Sequence, residues 1–249
     1  MTPHCQYVLR LADTSLILAQ RLGEWVGHAP ALEEDLGLAN VSLDLLGQAR
    51  MLLSYAGELE GRGRSEDDLA YLREESQFLN ATLVEQPNGD FGQTIVRQFL
   101  IDAWQLELYE RLQLSKDPRL AEIAAKAIKE TRYHLRYSAG WLIRLGDGTD
   151  ESHARVQAAL ERLWPFTNEL FAADDVDREI AQAGIGAAPD SLLPGWSSRV
   201  DEVLAEARLV KPPAVPFGWQ GRQGRHSEHL GYILAEMQSL HRAHPGAAW

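Results

Sequence analysis

The chain has 249 residues, of which 45% are hydrophobic and 24% are charged. This is the composition of a soluble globular protein that can bury a sizeable core. The formal net charge is −12, which argues against nucleic acid as a partner, because phosphate-backbone binding needs clustered Lys and Arg side chains. The same charge disfavours an anionic membrane surface, and no apolar run reaches the ~20 residues that span a bilayer.

Cys5 is the one cysteine in the sequence. Neither a disulfide framework nor a cysteine-based zinc site can be built from it, and a reducing compartment suits this content. The N-terminus also lacks a basic region followed by a long apolar run, the pattern of a signal peptide. We therefore expect a cytoplasmic protein.

Helical periodicity runs through most of the chain, and no alternation typical of strands appears. The pattern predicts an all-α fold with helices over residues 5–28, 31–55, 66–79, 90–114, 117–146, 150–173, 196–209 and 226–241. The predicted architecture is a four-helix bundle with additional C-terminal helices. We expect a single domain over residues 1–249, with a core bundle at about 5–146 and extra helices and a tail at about 150–249.

The second predicted helix carries an apolar stripe and, beside it, a more polar stripe. They consist of Leu32, Leu36, Ala39, Leu43, Leu46 and Leu53, and of Gly37, Asn40, Asp44, Gln48 and Met51. A helix with both stripes is expected to be covered on two sides. Together with a Trp- and Pro-rich tail, this is more apolar surface than one four-helix core needs. The sequence therefore predicts association with another protein and with a second copy of the chain.

The helix predicted over residues 117–146 has clear end signals. Asp117 can cap its first turn, Pro118 fits the first helical position, and Gly146 supplies the stop. One face of this helix is apolar except at its middle, where Glu130 and His134 lie one turn apart. An ionised carboxylate is costly to bury unless it is paired or bound to a metal, so these two residues form a candidate site.

One acid also interrupts the apolar face of each other long helix, at Asp13, Asp44 and Asp102. Short connections favour antiparallel neighbours in a bundle, which brings Asp13 level with Asp44, and Asp102 level with Glu130. The sequence thus predicts that Asp13, Asp44, Asp102, Glu130 and His134 converge. This arrangement is typical of ferritin-like di-iron bundles, in which Glu and Glu-x-x-His motifs hold a buried metal pair.

The ligand set departs from the di-iron pattern. Gly47 stands where a histidine would follow Asp44, and His134 comes one residue late after Glu130. Three of the four acids are Asp, whose side chain reaches less far than that of Glu. One imidazole in place of two makes a poor redox site. We therefore expect a vestigial polar cluster with no metal and no catalytic role. A working di-metal centre and unconnected, solvated acids remain alternatives.

Four carboxylates cannot all stay ionised in a dry site, because like charges raise one another's pKa values. We expect some to be protonated, and others to be neutralised by His134 or by Arg or Lys side chains.

Two further features are weaker candidates. His226 and His229 have a spacing that suits zinc or a helix terminus, and residues 221–225 form a small basic cluster that suits an anionic ligand or a solvated loop.

Four long segments resemble a known family: residues 11–50 (LADTSLILAQRLGEWVGHAPALEEDLGLANVSLDLLGQAR), 95–112 (IVRQFLIDAWQLELYERL), 129–157 (KETRYHLRYSAGWLIRLGDGTDESHARVQ) and 221–238 (GRQGRHSEHLGYILAEMQ). They are similar to the C component of the bacterial phenylacetyl-CoA epoxidases, which are multicomponent monooxygenases of phenylacetate degradation. The resemblance extends over nearly the whole chain.

The resemblance implies a ferritin-like fold and a structural, non-catalytic role. In that family the catalytic di-iron site belongs to the A component, and the complex epoxidises the aromatic ring of phenylacetyl-CoA with O2 and with electrons passed from NADPH through a reductase component. The chain would then hold no cofactor itself and would form hetero- and homo-oligomers. The alternatives are a self-sufficient di-iron or di-manganese oxidase, and a helical interaction protein with no link to oxygen chemistry.

Overall fold

The computed structural model describes residues 1–214 and 218–247, so part of the predicted Pro-rich tail lies outside the described residues. Over these residues the prediction of an all-α fold is confirmed, apart from one isolated bridge between Gln220 and Arg225. The described helices are α1 (Pro3–Gly23), α2 (Leu32–Glu60), α3 (Glu66–Tyr71), α4 (Phe91–Leu112), α5 (Pro118–Gly146), α6 (Asp150–Leu163), α7 (Asp175–Gln182), α8 (Leu193–Glu206) and α9 (His229–Ala243). None of these helices is long and apolar enough to cross a membrane.

The chain divides into two compact units. The first comprises Met1–Pro87 and Trp219–Trp249, and the second comprises Asn88–Gly218. In the first unit, α1 and α2 form a long hairpin to which α3 and α9 are added; in the second, α4 and α5 form the hairpin, with α6 and α8 packed against it. The last helix thus belongs with the first helices of the chain. The single domain over the whole chain stays a prediction.

Helices α1 and α4 are buried on nearly all sides. Most residues of α1 between Cys5 and Leu22 are buried, as are nearly all residues of α4 between Gly92 and Tyr109. Such helices must be covered by several elements. In the first unit α2, α9 and the 3₁₀ turn Thr82–Glu85 contact α1, and in the second α5, α6 and α8 contact α4. A polar side chain on either helix therefore has to find its partner within the protein.

The N-terminal ends of α4 and α5 are both capped, and that of α5 follows the predicted signals. The Asp90 side chain accepts a hydrogen bond from the backbone N–H of Gln93 at 2.8 Å. The Asp117 side chain accepts one from the N–H of Leu120 at 3.1 Å, and Pro118 occupies the first helical position. Each cap satisfies one of the amides that a helix start leaves without an intrahelical partner.

Some helix boundaries differ from the prediction. Helix α3 ends at Tyr71 instead of continuing to residue 79, and the carbonyl of Ala70 near its end accepts a hydrogen bond from Gln238 of α9. Helix α7 is not predicted, since its eight residues give too short a pattern. The predicted break at Pro165 is confirmed: α6 ends at Leu163 and a 3₁₀ segment follows.

Helix α2 buries one face and exposes another. Its buried face consists of Leu38, Val41, Leu45, Gln48, Ala49 and Leu52. The predicted apolar stripe is divided: Leu53 is buried, whereas Leu32, Leu36 and Leu43 are 70%, 58% and 64% exposed. The covering of both stripes, which was expected to involve another protein, stays a prediction. Because α2 carries leucines on opposite faces, helical periodicity could not identify the face that joins the core.

Gly146 ends α5 without a left-handed turn. A Cβ atom at this position would overlap the carbonyl oxygen of Ala207, so the glycine allows the C-terminal end of α8 to approach α5 closely. Gly140, in the same helix, has no atom within 4 Å of its Cβ position. The two glycines of α5 therefore have different roles.

We expect Gly146→Ala to lower the free energy of unfolding by about 1–3 kcal/mol, because the new methyl group must displace the Ala207 backbone. Gly140→Ala is the matched control and should be neutral or stabilising by up to about 1 kcal/mol, since alanine favours a helix interior. Urea denaturation of both variants measures the difference. Equal effects of the two substitutions would contradict the role given to Gly146.

Cys5 is buried, and its Sγ lies 3.5 Å from the carbonyl oxygen of Ala56. Burial raises the pKa of the Cys5 thiol. Because the thiolate is the reactive form of cysteine, this thiol is suited to packing and not to nucleophilic chemistry.

Candidate functional site

Asp13 of α1 is fully buried, and its carboxylate is bound by Arg73. Nη1 of Arg73 donates to Oδ2 of Asp13 at 2.9 Å, and Nη2 donates to Oδ1. The backbone N–H of Leu79 also donates to Oδ2, at 2.8 Å. A bidentate guanidinium and an amide therefore occupy both oxygens of this predicted site residue.

Arg73 is also buried, and its other donors are used within the same unit. Its Nε donates to the carbonyl of Leu69, and Nη1 donates to the carbonyl of Gln77 at 2.9 Å. The guanidinium carbon lies 4.1 Å from the centre of the Phe78 ring. Sequence analysis missed Arg73, because it lies in the charged segment 66–79, where nothing in the pattern marks one cation as buried. The available signal was only that an ionised carboxylate buried in the protein needs a cation beside it, which does not identify the cation.

We expect Arg73→Met to destabilise the chain by roughly 3–5 kcal/mol, because it leaves the Asp13 charge buried without its partner. The double variant Asp13→Asn with Arg73→Met should recover much of this loss, since no buried charge remains and the amide oxygen can still accept from Leu79. Urea denaturation of the single and double variants measures the coupling. Additive losses would show that the two side chains do not act as a pair.

Asp102 of α4 is fully buried in the second unit. Ser138 Oγ of α5 donates to Oδ2 at 2.7 Å, and Gln98 Nε2, one turn earlier on α4, donates to Oδ1 at 2.7 Å. Burial raises the pKa of Asp102 to about 8, although the two hydrogen bonds lower it. At neutral pH the folded chain therefore keeps this carboxyl mainly protonated.

Asp102 makes stability depend on pH. Its ordinary pKa is 3.8, so between about pH 4 and pH 8 the unfolded chain releases a proton that the folded chain retains. The stability linked to this group is thus complete below about pH 4 and is lost as pH rises through 8. Asp102→Asn cannot ionise, and it keeps an oxygen for Gln98 and a donor for Ser138.

We therefore expect Asp102→Asn to increase the free energy of unfolding at pH 8 by an amount on the order of a few kcal/mol, and to change it little at pH 4. Urea denaturation across this range tests the prediction. Asp44→Asn is the control, because Asp44 is only half-buried. A variant at Asp102 with the same pH slope as the native chain would disprove the assignment.

The remaining predicted site residues differ in burial. Asp44 on α2 and Glu130 on α5 are half-buried, whereas His134 is buried. The predicted inward face of α5 is confirmed around His134, because Ile123, Ala127 and Ser138 are buried as well. His134 also lies with its ring 6.3 Å from that of Tyr133.

The two fully buried acids are hydrogen-bonded to residues outside the predicted cluster. Asp13 is bound by Arg73, and Asp102 by Ser138 and Gln98. Within residues 1–214 and 218–247, no three His, Cys, Asp or Glu side chains are grouped so that they could hold a metal ion. The convergence of Asp13, Asp44, Asp102, Glu130 and His134 stays a prediction.

His226 forms a buried pair with Glu85 in the first unit. Its Nδ1 lies 2.9 Å from Oε2 of Glu85, and its Nε2 lies 2.8 Å from the carbonyl oxygen of Phe78. The backbone N–H of Ser227 donates to Oε1 of Glu85 at 2.6 Å. Because both ring nitrogens of His226 face acceptors within the protein, the helix-terminal role suits this residue better than a zinc site with His229.

The basic cluster at residues 221–225 is attached through its backbone. The N–H of Gly221 donates to Thr82 Oγ1 at 3.2 Å, and Arg10 Nε donates to the carbonyl of Arg222 at 3.0 Å. These contacts join the segment that precedes α9 to the N-terminal part of its unit. We assign the cluster to this attachment and not to an anionic ligand.

The outward side of α2 presents an apolar surface, which we call the leucine face. It consists of the exposed Leu32, Leu36 and Leu43, with half-buried Leu46 and Gly47 beside them. In the described part of the chain, no atom outside the local helix backbone lies within 4 Å of the Cβ position of Gly47, so another backbone can approach there. Contiguous exposed leucines on one helix are typical of a protein interface.

Over the residues described, the protein is helical, and each of its two long hairpins buries a carboxylate that is satisfied within the chain. A family model described as phenylacetic acid catabolic protein matches residues 1–249, and the chain belongs to this family. The match, with the helical architecture, confirms the predicted ferritin-like class. The chain is 56% identical over 243 residues to the C component of the 1,2-phenylacetyl-CoA epoxidase of Escherichia coli (strain K12), an alignment that covers 98% of both chains. The resemblance noted in the sequence is thereby confirmed.

Proposed function

We propose that this chain is a non-catalytic structural subunit of an oxygenase complex that epoxidises the aromatic ring of phenylacetyl-CoA in phenylacetate catabolism. Family membership and the 56% identity to the C component of such an epoxidase support the pathway and the complex. The observation that carries the non-catalytic role is the pairing of Asp13 with Arg73. In this proposal the di-iron centre belongs to a related catalytic subunit, and NADPH is used by a reductase subunit.

The donor set of this chain does not suit a di-iron pair. A metal ion would compete with the Arg73 guanidinium for the two oxygens of Asp13. It would also have to displace a proton from Asp102, because metal ligands bind in their deprotonated form. Gly47 offers no imidazole at the position of the second histidine. We therefore assign no step of the reaction to these residues.

A bundle without its own metal can still position the helices of a catalytic partner. The leucine face of α2 supports such a role, because permanent interfaces are apolar and resemble a domain core cut in half. The buried face of α2 already holds this helix in place through Leu38, Val41 and Leu45. We propose that the leucine face packs on the catalytic subunit, so that both sides of α2 are covered in the complex.

Replacing Leu36 and Leu43 together by Glu tests this surface. The double variant should fold, because both side chains are exposed, but its affinity for the catalytic subunit should fall at least about 100-fold, since two apolar contacts are lost and charges are introduced. Leu114→Glu is the matched control, because Leu114 is an exposed leucine of the second unit, at 82%. Sedimentation of each variant with the purified catalytic subunit measures binding.

The same preparations test whether this chain carries a metal centre of its own. We expect the native chain alone, purified without chelator after growth with iron, to contain no stoichiometric iron and to consume no O2. About two irons per chain, with oxygen consumption, would overturn the structural role in favour of a self-sufficient oxidase.

Unchanged binding of the Leu36 and Leu43 double variant would exclude the leucine face as the contact surface.

A further inference from the structure

The exposed side of α5 is basic, although the chain as a whole is acidic. This helix contains six of the 24 Lys and Arg residues of the chain but only two of its 36 Asp and Glu residues. Five of the cations define what we call the basic face, and all are exposed: Lys126, Lys129, Arg132, Arg136 and Arg144. At 3.6 residues per turn they share one side of the helix and extend over about 27 Å.

Aromatic rings hold two arginines of the basic face. The guanidinium carbon of Arg136 lies 5.6 Å from the centre of the Tyr133 ring, and that of Arg144 lies 5.3 Å from the Trp141 ring. Tyr133 is 42% exposed. Such contacts restrict the arginine side chains before binding, so less conformational entropy is lost in a complex. Arg, Tyr and Trp are also the residue types enriched at binding hot spots.

Gly140 lies on the same side of α5 as the basic face. Among the described residues, no atom lies within 4 Å of its Cβ position, so packing within the chain does not require a glycine. Glycine in a helix interior costs about 1 kcal/mol relative to alanine. An open gap in the middle of a charged helix allows the surface of another molecule to approach the α5 backbone.

We propose that the basic face of α5 docks an acidic surface of a further protein component of the oxygenase, one that binds and dissociates. The proposal rests on the proposed function. Arg132 lies 3.8 Å from the Glu110 carboxylate of α4, a solvent-exposed pair of the kind that contributes little. Charge complementarity selects the partner, because the exposed cations of the basic face outnumber this acid and attract a surface of opposite sign.

The chemistry of the face disfavours other ligands. Small molecules such as acyl-CoA bind in concave pockets that cover most of their surface, whereas the basic face is the outer side of a helix. Nucleic acid would be repelled by the remainder of a chain whose net charge is −12. A permanent partner would need apolar area of the kind found on the leucine face. Charged faces instead give rapid and salt-dependent association.

Reversal of charge on the basic face tests the proposal. The triple variant Lys126→Glu, Lys129→Glu and Arg136→Glu changes residues that are exposed, so it should fold. The matched control is the triple variant Arg62→Glu, Arg178→Glu and Arg225→Glu, which makes the same change of charge at exposed positions outside α5. Each protein is combined with the catalytic subunit and then titrated with every other purified component of the oxygenase in turn, at low and high salt.

We expect the α5 variant to bind the catalytic subunit normally and to lose at least tenfold in affinity for one further component, whereas the control loses less. The affinity of the native complex for that component should fall as salt is raised. Equal losses in both variants, no loss in the α5 variant, or binding that is insensitive to salt would each overturn the proposal. Loss of binding to free coenzyme A alone, without loss of a protein component, would overturn it too.

The result also separates this proposal from the proposed function. If the native chain binds no oxygenase component, the proposed function fails. If it binds them and charge reversal on α5 changes nothing, the docking role of the basic face alone fails.

Discussion

The buried ion pair between Asp13 and Arg73 organises the first unit of the chain. A lone carboxylate in this position would cost several kcal/mol, so Asp13 fixes the position of Arg73. Arg73 in turn holds the chain around the end of α3, through the carbonyls of Leu69 and Gln77. Helix α9 reaches the same segment, because Gln238 donates to the carbonyl of Arg73. The Asp13 carboxylate on α1 thus fixes, through Arg73, the segment that follows α3, to which α9 is also attached.

The two units neutralise their buried acids in different ways. Asp13 is paired with a guanidinium, whereas the oxygens of Asp102 accept from the neutral donors Ser138 and Gln98, and its pKa rises to about 8. In both units, donors within the protein already bind the oxygens of the buried carboxyl group. At either acid, a metal ion would have to replace what already satisfies the carboxyl group, the Arg73 cation at Asp13 or the proton at Asp102, and that exchange would subtract from its binding free energy.

Local signals predicted more of this structure than long-range ones. The cap at Asp117 and the all-α class follow from patterns within a few residues, and the structure has them. The partner of Asp13 lies 60 residues away, in a charged segment where no pattern singles out Arg73. Leucines occur on two faces of α2, so the face that joins the core depends on tertiary packing and cannot be identified from periodicity.

A protein that neutralises its buried acids internally can contribute to a complex through its surface. Helix α2 exposes an apolar surface and α5 exposes a charged one, and the two surfaces differ in their free energy of hydration. The leucine face costs free energy for as long as it is hydrated, which favours a partner that stays bound. The cations of α5 are well solvated without a partner, so a complex there can form and dissociate at little cost. Under the two proposals, the apolar and the charged helix face would form complexes of different lifetime, a permanent one on α2 and a reversible one on α5.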